Sequence, residues 1–463
     1  MILLICGAAL LSFLGYGWIR GSPPQWPVPQ ELDKLDPQLR QYILEAIGRL
    51  RLAPRNRDHH ATLGLVYAAN SLWSEARLAF SNVVRLKPNE PLAHLYVGIS
   101  TQELGEPREA LRTFKELAAR FPKFAPGFYR LGEALLKEGD LDGAESAFRR
   151  LVDLAPGEWR GHAGIGDVRL RRGDHAEALR SLEKAVRLDW NAARAHHLLG
   201  MALRGAGRME EAELELSLGL NATSFPMPDA WSEKAAEHMK LLQDQLVIAD
   251  ESSQQGQPQK AVGILEEALR FHPTNAMVLN NLAIAYNRSG QPQKARPLLS
   301  RLLQSDDRYV PAYITLSFTC QLLGSNAEAL TFAERAVALS PNAPQSHVAK
   351  ANALLAAERD AEAIAALEAA FRCDPKNADI QSELGDVRWR NLNQPAEAFD
   401  HYKKATQLNR TLLKAHWRLA ELAIERKDST EARAAIHTIR RIAPNEPGLA
   451  NLESRLQKLL KPQ

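Results

Sequence analysis

The sequence predicts an all-α protein built as a solenoid of stacked helix-turn-helix units, preceded by one N-terminal hydrophobic helix. Three observations support this fold class. A stretch of 34 residues, 125–158, is repeated with variation along most of the chain. Its apolar residues return every three or four positions, which is the period of an amphipathic helix. A proline recurs at the same 34-residue interval, at Pro54, Pro88, Pro122 and Pro156. One hairpin cannot bury its apolar face alone, so stacked copies must share a continuous core.

The copy at residues 125–158 contains a helix, a break and a second helix. Gly139 marks the break, because glycine readily adopts the left-handed conformation that ends a helix. Pro156 ends the second helix, because proline has no backbone N–H. Gly132 and Ala144 are small, so we expect the two helices to approach closely. Two apolar stripes flank the break: Phe128, Leu131 and Leu135 before it, and Leu141, Phe148, Leu151 and Leu154 after it.

The spacing of Leu131, Gly132, Gly139, Phe148 and Pro156 resembles the tetratricopeptide repeat, or TPR. The resemblance implies a right-handed α-solenoid of TPR repeats. It also implies that the first helix of each repeat lines a concave groove, and that the partners are proteins or peptides lying in this groove. Such a pattern is specific for fold and says little about function.

Residues 1–19 are almost wholly apolar and predict a transmembrane or signal-anchor helix, so that the protein contacts the membrane through its N-terminus. A cleaved signal peptide is the alternative. Neither a Lys nor an Arg precedes the apolar run, and no small-x-small cleavage site follows it, which favours an uncleaved anchor. Arg20 and Lys34 follow the run, which weakly favours a cytoplasmic repeat domain; a periplasmic or other extracytoplasmic domain stays open.

The rest of the chain divides by its prolines and by the repeat register. Asp36 is a good N-cap residue, and Pro37 suits the first helical position. The predicted order is a Pro-rich extended spacer at 20–35, an N-terminal capping half repeat at 36–56, a first TPR array of five repeats at 57–226, an insertion or seam at 227–241, a second TPR array of six repeats at 242–446, and a C-terminal capping helix at 447–463.

The insertion carries the main break in the repeat register. Pro226 and Pro228 mark a loop, and residues 229–242 are predicted to form a helix. The insertion could serve as a hinge or a binding loop, or it could be only an inserted loop with a lengthened helix.

Composition and motifs give no sign of catalysis. The net charge is +3, from 58 Lys and Arg against 55 Asp and Glu. The composition therefore lacks the excess of positive charge that is typical of nucleic-acid-binding proteins. We predict no catalytic residues, no metal site and no cofactor, because neither nucleophile motifs nor metal-ligand spacings occur. Cys320 and Cys373 lie in different repeats and are predicted to be small buried apolar residues.

The candidate functional surface is the groove that the family resemblance implies. Lys414 and Arg418 match part of the carboxylate clamp of chaperone-binding TPR proteins, but Glu383 stands where that clamp needs Asn. The full set of groove candidates is Tyr129, Arg130, Glu133, Lys137, Asn280, Asn281, Asn287, Lys414, Trp417 and Arg418.

The function predicted from these features is a membrane-anchored, non-catalytic TPR scaffold or adaptor. One alternative is a bacterial envelope-assembly or regulatory factor similar to lipopolysaccharide assembly protein B, although the paired Cys-x-x-Cys motifs of that family are missing. Another is an accessory subunit of an enzyme complex. The sequence leaves the oligomeric state open.

Overall fold

The computed structural model describes residues 25–220 and 227–460. The predicted anchor at residues 1–19 lies outside the described residues. Within the described ranges, no helix is long and apolar enough to cross a membrane. All regular secondary structure in those ranges is helical, so the prediction of an all-α solenoid of helical pairs is confirmed.

The helices before residue 220 are α1 (Pro37–Leu52), α2 (Arg57–Ala69), α3 (Trp73–Leu86), α4 (Pro91–Glu103), α5 (Pro107–Arg120), α6 (Ala125–Glu138), α7 (Leu141–Leu154), α8 (Trp159–Arg171), α9 (His175–Leu188), α10 (Ala193–Gly205) and α11 (Met209–Leu218). Those after residue 227 are α12 (Ser232–Ala235), α13 (Leu242–Gln254), α14 (Pro258–Phe271), α15 (Ala276–Arg288), α16 (Pro292–Ser305), α17 (Val310–Leu322), α18 (Asn326–Leu339), α19 (Pro344–Ala356), α20 (Asp360–Cys373), α21 (Ala378–Arg390), α22 (Pro395–Leu408), α23 (Leu413–Glu425), α24 (Ser429–Ile442) and α25 (Leu449–Leu460). Two short 3₁₀ helices lie at Leu32–Lys34 and Ala236–His238.

The chain divides into two compact units. Among the described residues, the first unit comprises residues 25–212 and 227–244, and the second comprises residues 213–220 and 245–460. In each unit the long helices follow one another as hairpins, with loops of a few residues between them. The first helices of successive pairs also contact each other, as α15 does with α17 and α17 with α19. Each unit therefore buries its apolar faces by stacking, as the repeat requires.

Helix ends follow the local chemistry of the sequence. The Asp36 carboxylate accepts hydrogen bonds from the backbone N–H groups of Gln38 and Leu39, so it caps α1 as predicted. Gly139 has φ 82° and ends α6 in the left-handed conformation that glycine tolerates. The predicted helix break inside the repeat is therefore confirmed.

Glycines also allow close packing between the paired helices of the first unit. A β-carbon at Gly132 would lie 2.6 Å from the Phe148 ring, and one at Gly64 would lie 2.6 Å from the Phe80 ring. The predicted close approach at Gly132 is confirmed, and the group that it accommodates is the buried ring of Phe148. Phe80 and Phe148 are almost completely buried, so these rings form the centre of their hairpins.

Two local predictions were wrong. Residues 229–242 do not form one helix, because only α12 and the 3₁₀ turn at Ala236–His238 are helical before α13 begins at Leu242. The backbone of His238 and Lys240 instead forms hydrogen bonds with the Asn70 side chain, where the 3₁₀ turn ends and no α-helix continues.

The described part of the Pro-rich spacer does not extend away from the repeats. Trp26 packs against the core of the first unit. The Tyr67 hydroxyl donates a hydrogen bond to the Pro27 carbonyl at 2.7 Å, and Asn82 donates one to the Gln25 carbonyl at 2.8 Å. Burial of the Trp26 ring offsets the cost of ordering this segment.

Candidate functional site: the groove faces of the two units

The predicted groove residues of the first unit lie on α6. Tyr129 is buried, and burial raises the pKa of its hydroxyl. Glu133 forms an ion pair with Arg194 at 2.8 Å. Arg130 is half-buried and Lys137 is exposed. Tyr129 and Arg130 both line one cavity of the first unit, whereas Glu133 connects α6 to α10.

The predicted asparagines of the second unit lie on α15, and two of them are buried. Asn280 accepts a hydrogen bond from the Thr315 hydroxyl at 3.0 Å, and Asn287 donates one to the Thr319 hydroxyl at 2.9 Å. Both asparagines are 5% exposed. These amides join α15 to α17, since buried polar groups need partners. Asn281 is half-buried and lines a separate cavity of about 580 Å³.

The predicted residues on α23 already contact acidic side chains of the same unit. Lys414 forms an ion pair with Asp386 at 2.8 Å, and Arg418 contacts the same carboxylate at 3.3 Å. The Trp417 indole donates a hydrogen bond to Glu421 at 3.3 Å. Because both cations already face Asp386, they do not present the free positive charge that a carboxylate clamp needs.

In the second unit a cavity, which we call the open cavity, lies on the first helices, where the sequence predicted a groove; none of the ten candidate residues lines it. It is about 530 Å³ in volume and lies along the first helices of four successive pairs, α15, α17, α19 and α21. Its apolar lining includes Ile284, Ile314, Phe318, Val348 and Ile380. Phe318 is 47% exposed, which is unusual for a large aromatic ring. The signal for this site in the sequence was the run of apolar residues on α17, which is too apolar for an ordinary amphipathic helix.

The rim of the open cavity is acidic at the α21 end. Asp379 is exposed and Glu383 is half-buried, one helical turn apart. Burial raises the pKa of Glu383; Asp379 and Asp386 also raise it, and Lys414 opposes them. At the other end, Arg288 faces Asp250 at 3.9 Å. The rim at α21 therefore favours a cation.

The corresponding surface of the first unit is occupied. Residues 227–241, which we call the docked segment, lie against α2 and α3 and contact Tyr96 on α4. Trp231 stacks on Phe80 with ring centroids 5.5 Å apart. The remaining cavity there is about 450 Å³ and has Tyr129, Arg130 and Asp229 in its lining.

The described ranges also show the surroundings of the potential metal ligands and of Cys320 and Cys373. Within residues 25–220 and 227–460, no group of three or more His, Cys, Asp and Glu side chains could hold a metal ion. Cys320 is fully buried, and burial raises the pKa of its thiol. Cys373 is only half-buried, because it lies at the end of α20, so the prediction of a fully buried residue was wrong for this cysteine.

Comparison with known proteins identifies the family. Models described as tetratricopeptide repeat match residues 98–158, 164–221, 253–317, 348–411 and 392–456, which together cover more than half of the chain. The chain is a tetratricopeptide-repeat protein.

Curated relatives of this TPR protein are distant. Cellulose synthase operon protein C of Xanthomonas axonopodis pv. citri (strain 306) is 28% identical over 51% of this chain and 16% of the relative. Stress-induced-phosphoprotein 1 of Caenorhabditis elegans is 22% identical over 59% of this chain and 91% of the relative. The chain therefore spans about a sixth of the first relative and most of the second. The crystal structure of yeast Tom70 aligns over 90% of this chain and 96% of that chain at 13% identity, with a TM-score of 0.43.

Proposed function

We propose that this TPR protein is a non-catalytic adaptor that binds a segment of another protein in the open cavity of the second unit. The observation that carries this proposal is the half-exposed Phe318 ring, in a cavity lined by four successive first helices. Cavities of this size, apolar and with a few polar groups at the rim, are typical binding sites. TPR relatives are typically non-catalytic, and the sequence analysis found no nucleophile motif.

The rim charges favour a partner segment that combines apolar side chains with a Lys or Arg. Ile314, Phe318 and Val348 offer apolar contact area. Asp379 and Glu383 lie beside this surface, and within the described residues neither forms an ion pair with a Lys or Arg of the chain. A cation of the partner would neutralise these carboxylates and fix the orientation of the segment.

The adaptor would act at a membrane, because residues 1–19 are long and apolar enough to anchor the chain. A fractionation experiment tests this part separately. The full chain should stay in the membrane pellet after alkaline carbonate extraction, and a variant that lacks residues 1–19 should be released. Release of both forms would contradict the anchor and would leave the cavity proposal intact.

A second candidate function is that of an accessory subunit of an enzyme complex. Similarity to cellulose synthase operon protein C over 51% of this chain favours it, because that protein is named after an enzyme operon. In this case the partner bound in the open cavity would be a segment of an enzyme, and co-purification with an activity would distinguish it from a general adaptor.

Panning a random peptide library against the purified full chain tests the open cavity. We expect the enriched peptides to carry two or more apolar residues next to a Lys or Arg. Phe318→Glu should weaken their binding at least tenfold, because it places a charge in the apolar lining.

Leu408→Glu is the matched control. Leu408 is also exposed, at 37%, but it lies at the end of α22 outside the cavity lining. Binding by this variant should equal that of the wild type. Peptides that bind both variants equally well would rule out the open cavity as the site.

A further inference from the structure

The docked segment makes contacts of three kinds with the first unit, each typical of peptide recognition. The first is aromatic. Trp231 stacks on Phe80 at 5.5 Å and lies tilted against Tyr96 at 5.4 Å. The same indole packs against a small apolar cluster of Ala61, Val83 and Ala93. A Trp held between aromatic rings is the kind of anchor that dominates binding energy at interfaces.

The second kind of contact is made to the backbone of the docked segment, so it does not depend on the side chains of that segment. The Asn70 side chain donates a hydrogen bond to the His238 carbonyl at 2.8 Å and accepts one from the Lys240 N–H at 2.9 Å. Asn70 itself is 4% exposed and also donates to the Val66 carbonyl. One amide therefore holds two peptide groups of the docked segment, two residues apart.

The third kind of contact is polar and specific. The Tyr96 hydroxyl lies 3.3 Å from the Asp229 carboxylate, to which it donates. Asp229 also accepts hydrogen bonds from the N–H groups of Trp231 and Ser232, which caps the short turn that presents the indole. At the other end, the Tyr42 hydroxyl is 2.8 Å from Nδ1 of His238.

We propose that this surface of the first unit is a second peptide-binding site, and that the docked segment is its resident ligand, which a partner peptide of the same chemistry displaces. The partner peptide carries an Asp two residues before a Trp, so that the carboxylate caps a helical turn and meets Tyr96. Its backbone then extends past Asn70. This site is distinct from the open cavity, and the proposal does not depend on the function proposed for that cavity.

Because the docked segment is part of the chain, we expect it to occupy the site in preference to a free peptide. It binds intramolecularly, so a free peptide must compete with a high effective concentration. Weakening the resident segment should therefore expose a site of higher apparent affinity for a free peptide, whereas damaging the site itself should not.

The test uses a fluorescent peptide with the sequence of residues 227–240 and the purified full chain. Trp231→Ala and, separately, Asp229→Ala weaken the resident segment and leave the groove residues in place. Each variant should bind the peptide at least tenfold more tightly than the wild type does. Adding Asn70→Ala to either variant should abolish this gain, because Asn70 belongs to the site and not to the segment.

Glu233→Ala is the matched control, since Glu233 is exposed on the same segment. It should bind the peptide as weakly as the wild type. A peptide in which Ala replaces the Trp should bind none of the proteins. If Trp231→Ala and Asp229→Ala both remain folded by circular dichroism and neither binds the peptide more tightly than the wild type, the docked segment is a fixed structural element and the proposal is wrong.

Discussion

Tyr96 in the first unit and Thr315 in the second occupy the same position of the repeat, the sixth, yet their surroundings differ. Tyr96 contacts Trp231 of the docked segment. Thr315 is a small side chain that donates to Asn280 and lines the open cavity. In the next repeat of the second unit the sixth position is Ala349, which lines the same cavity. At these positions, the Tyr96 ring contacts the docked segment, and the small side chains of Thr315 and Ala349 border open space.

The side chain at the centre of a hairpin also varies in volume, both between the two units and within the second unit. Phe80, Phe114 and Phe148 pack beneath Gly64, Gly98 and Gly132 in the first unit. The second unit is mixed at the corresponding position: α18 has the fully buried Ala333, whereas α22 has Tyr402, which packs beneath Gly385 as the phenylalanines do. One repeat framework therefore tolerates a wide range of side-chain volumes, because each hairpin packs chiefly on its neighbours.

The largest effect is expected from Gly132→Leu, which tests whether the hairpin centres of the first unit depend on glycine. The new side chain would overlap the Phe148 ring, and the unfolding free energy should fall by about 1–3 kcal/mol. Gly263→Ala in the second unit is the control, because no atom lies within 4 Å of its added β-carbon. Chemical denaturation should show a gain for the control of up to about 1 kcal/mol. An unchanged midpoint for Gly132→Leu would contradict the packing described above.

Asn70→Ala and Asn287→Ala compare the buried amides of the two units. Asn70→Ala removes the bonds to His238 and Lys240, at a cost of about 1–3 kcal/mol. Hydrogen exchange at the Lys240 amide should become faster. Asn287→Ala removes one bond to Thr319, whose hydroxyl still donates to the Thr315 carbonyl, so we expect only about 0.5–1.5 kcal/mol. Equal exchange at Lys240 in wild type and Asn70→Ala would show that the amide does not hold the segment.

Glu383→Gln tests whether the carboxylate of Glu383, at the rim of the open cavity, binds a cation of the partner. It should weaken binding of a basic apolar peptide by about 0.2–1 kcal/mol, as expected for a partly solvated ion pair. Glu368→Gln is the control, because Glu368 is exposed outside the cavity and faces Arg388 at 3.5 Å. Isothermal titration should separate the two variants. A larger loss for the control would place the partner's cation elsewhere.

The smallest effect concerns pH and the docked segment. Burial lowers the pKa of His238, an effect that the facing cations Lys240, Arg49 and Lys234 enhance and Glu237 opposes. The neutral ring is therefore favoured while the segment is docked. Docking is at full strength above the ordinary histidine pKa of about 6.5 and weakens as pH falls below it toward the lowered pKa.

Hydrogen exchange across residues 227–240 at pH 7.5 and pH 5.5 measures this effect, after correction for the intrinsic exchange rates. His238→Gln should remove the dependence on pH, because glutamine does not titrate. Stronger protection of the segment at the lower pH would show that the sign is wrong.

Much of the fold could be predicted because the same sequence pattern occurs in many copies along the chain. The cap at Asp36, the break at Gly139 and the close approach at Gly132 all rest on chemistry that acts within one hairpin. The candidate site could be predicted less well. Asn280 and Asn287 fit the groove positions by number, but their amides bond to the next repeat. Lys414 and Arg418 fit a clamp, but both face Asp386, 28 and 32 positions earlier in the sequence.

The sequence by itself determined the helical hairpins, their 34-residue period and the stacking that follows, since helix breaks and apolar stripes are local properties. Tertiary structure decided which surfaces are filled. Residues 229–242 have the composition of one α-helix, yet the Asn70 side chain bonds the backbone of His238 and Lys240 where that helix would run. Asn70 and Lys240 are 170 positions apart. Contacts at such a separation depend on how neighbouring hairpins pack, and no local pattern in the sequence encodes them.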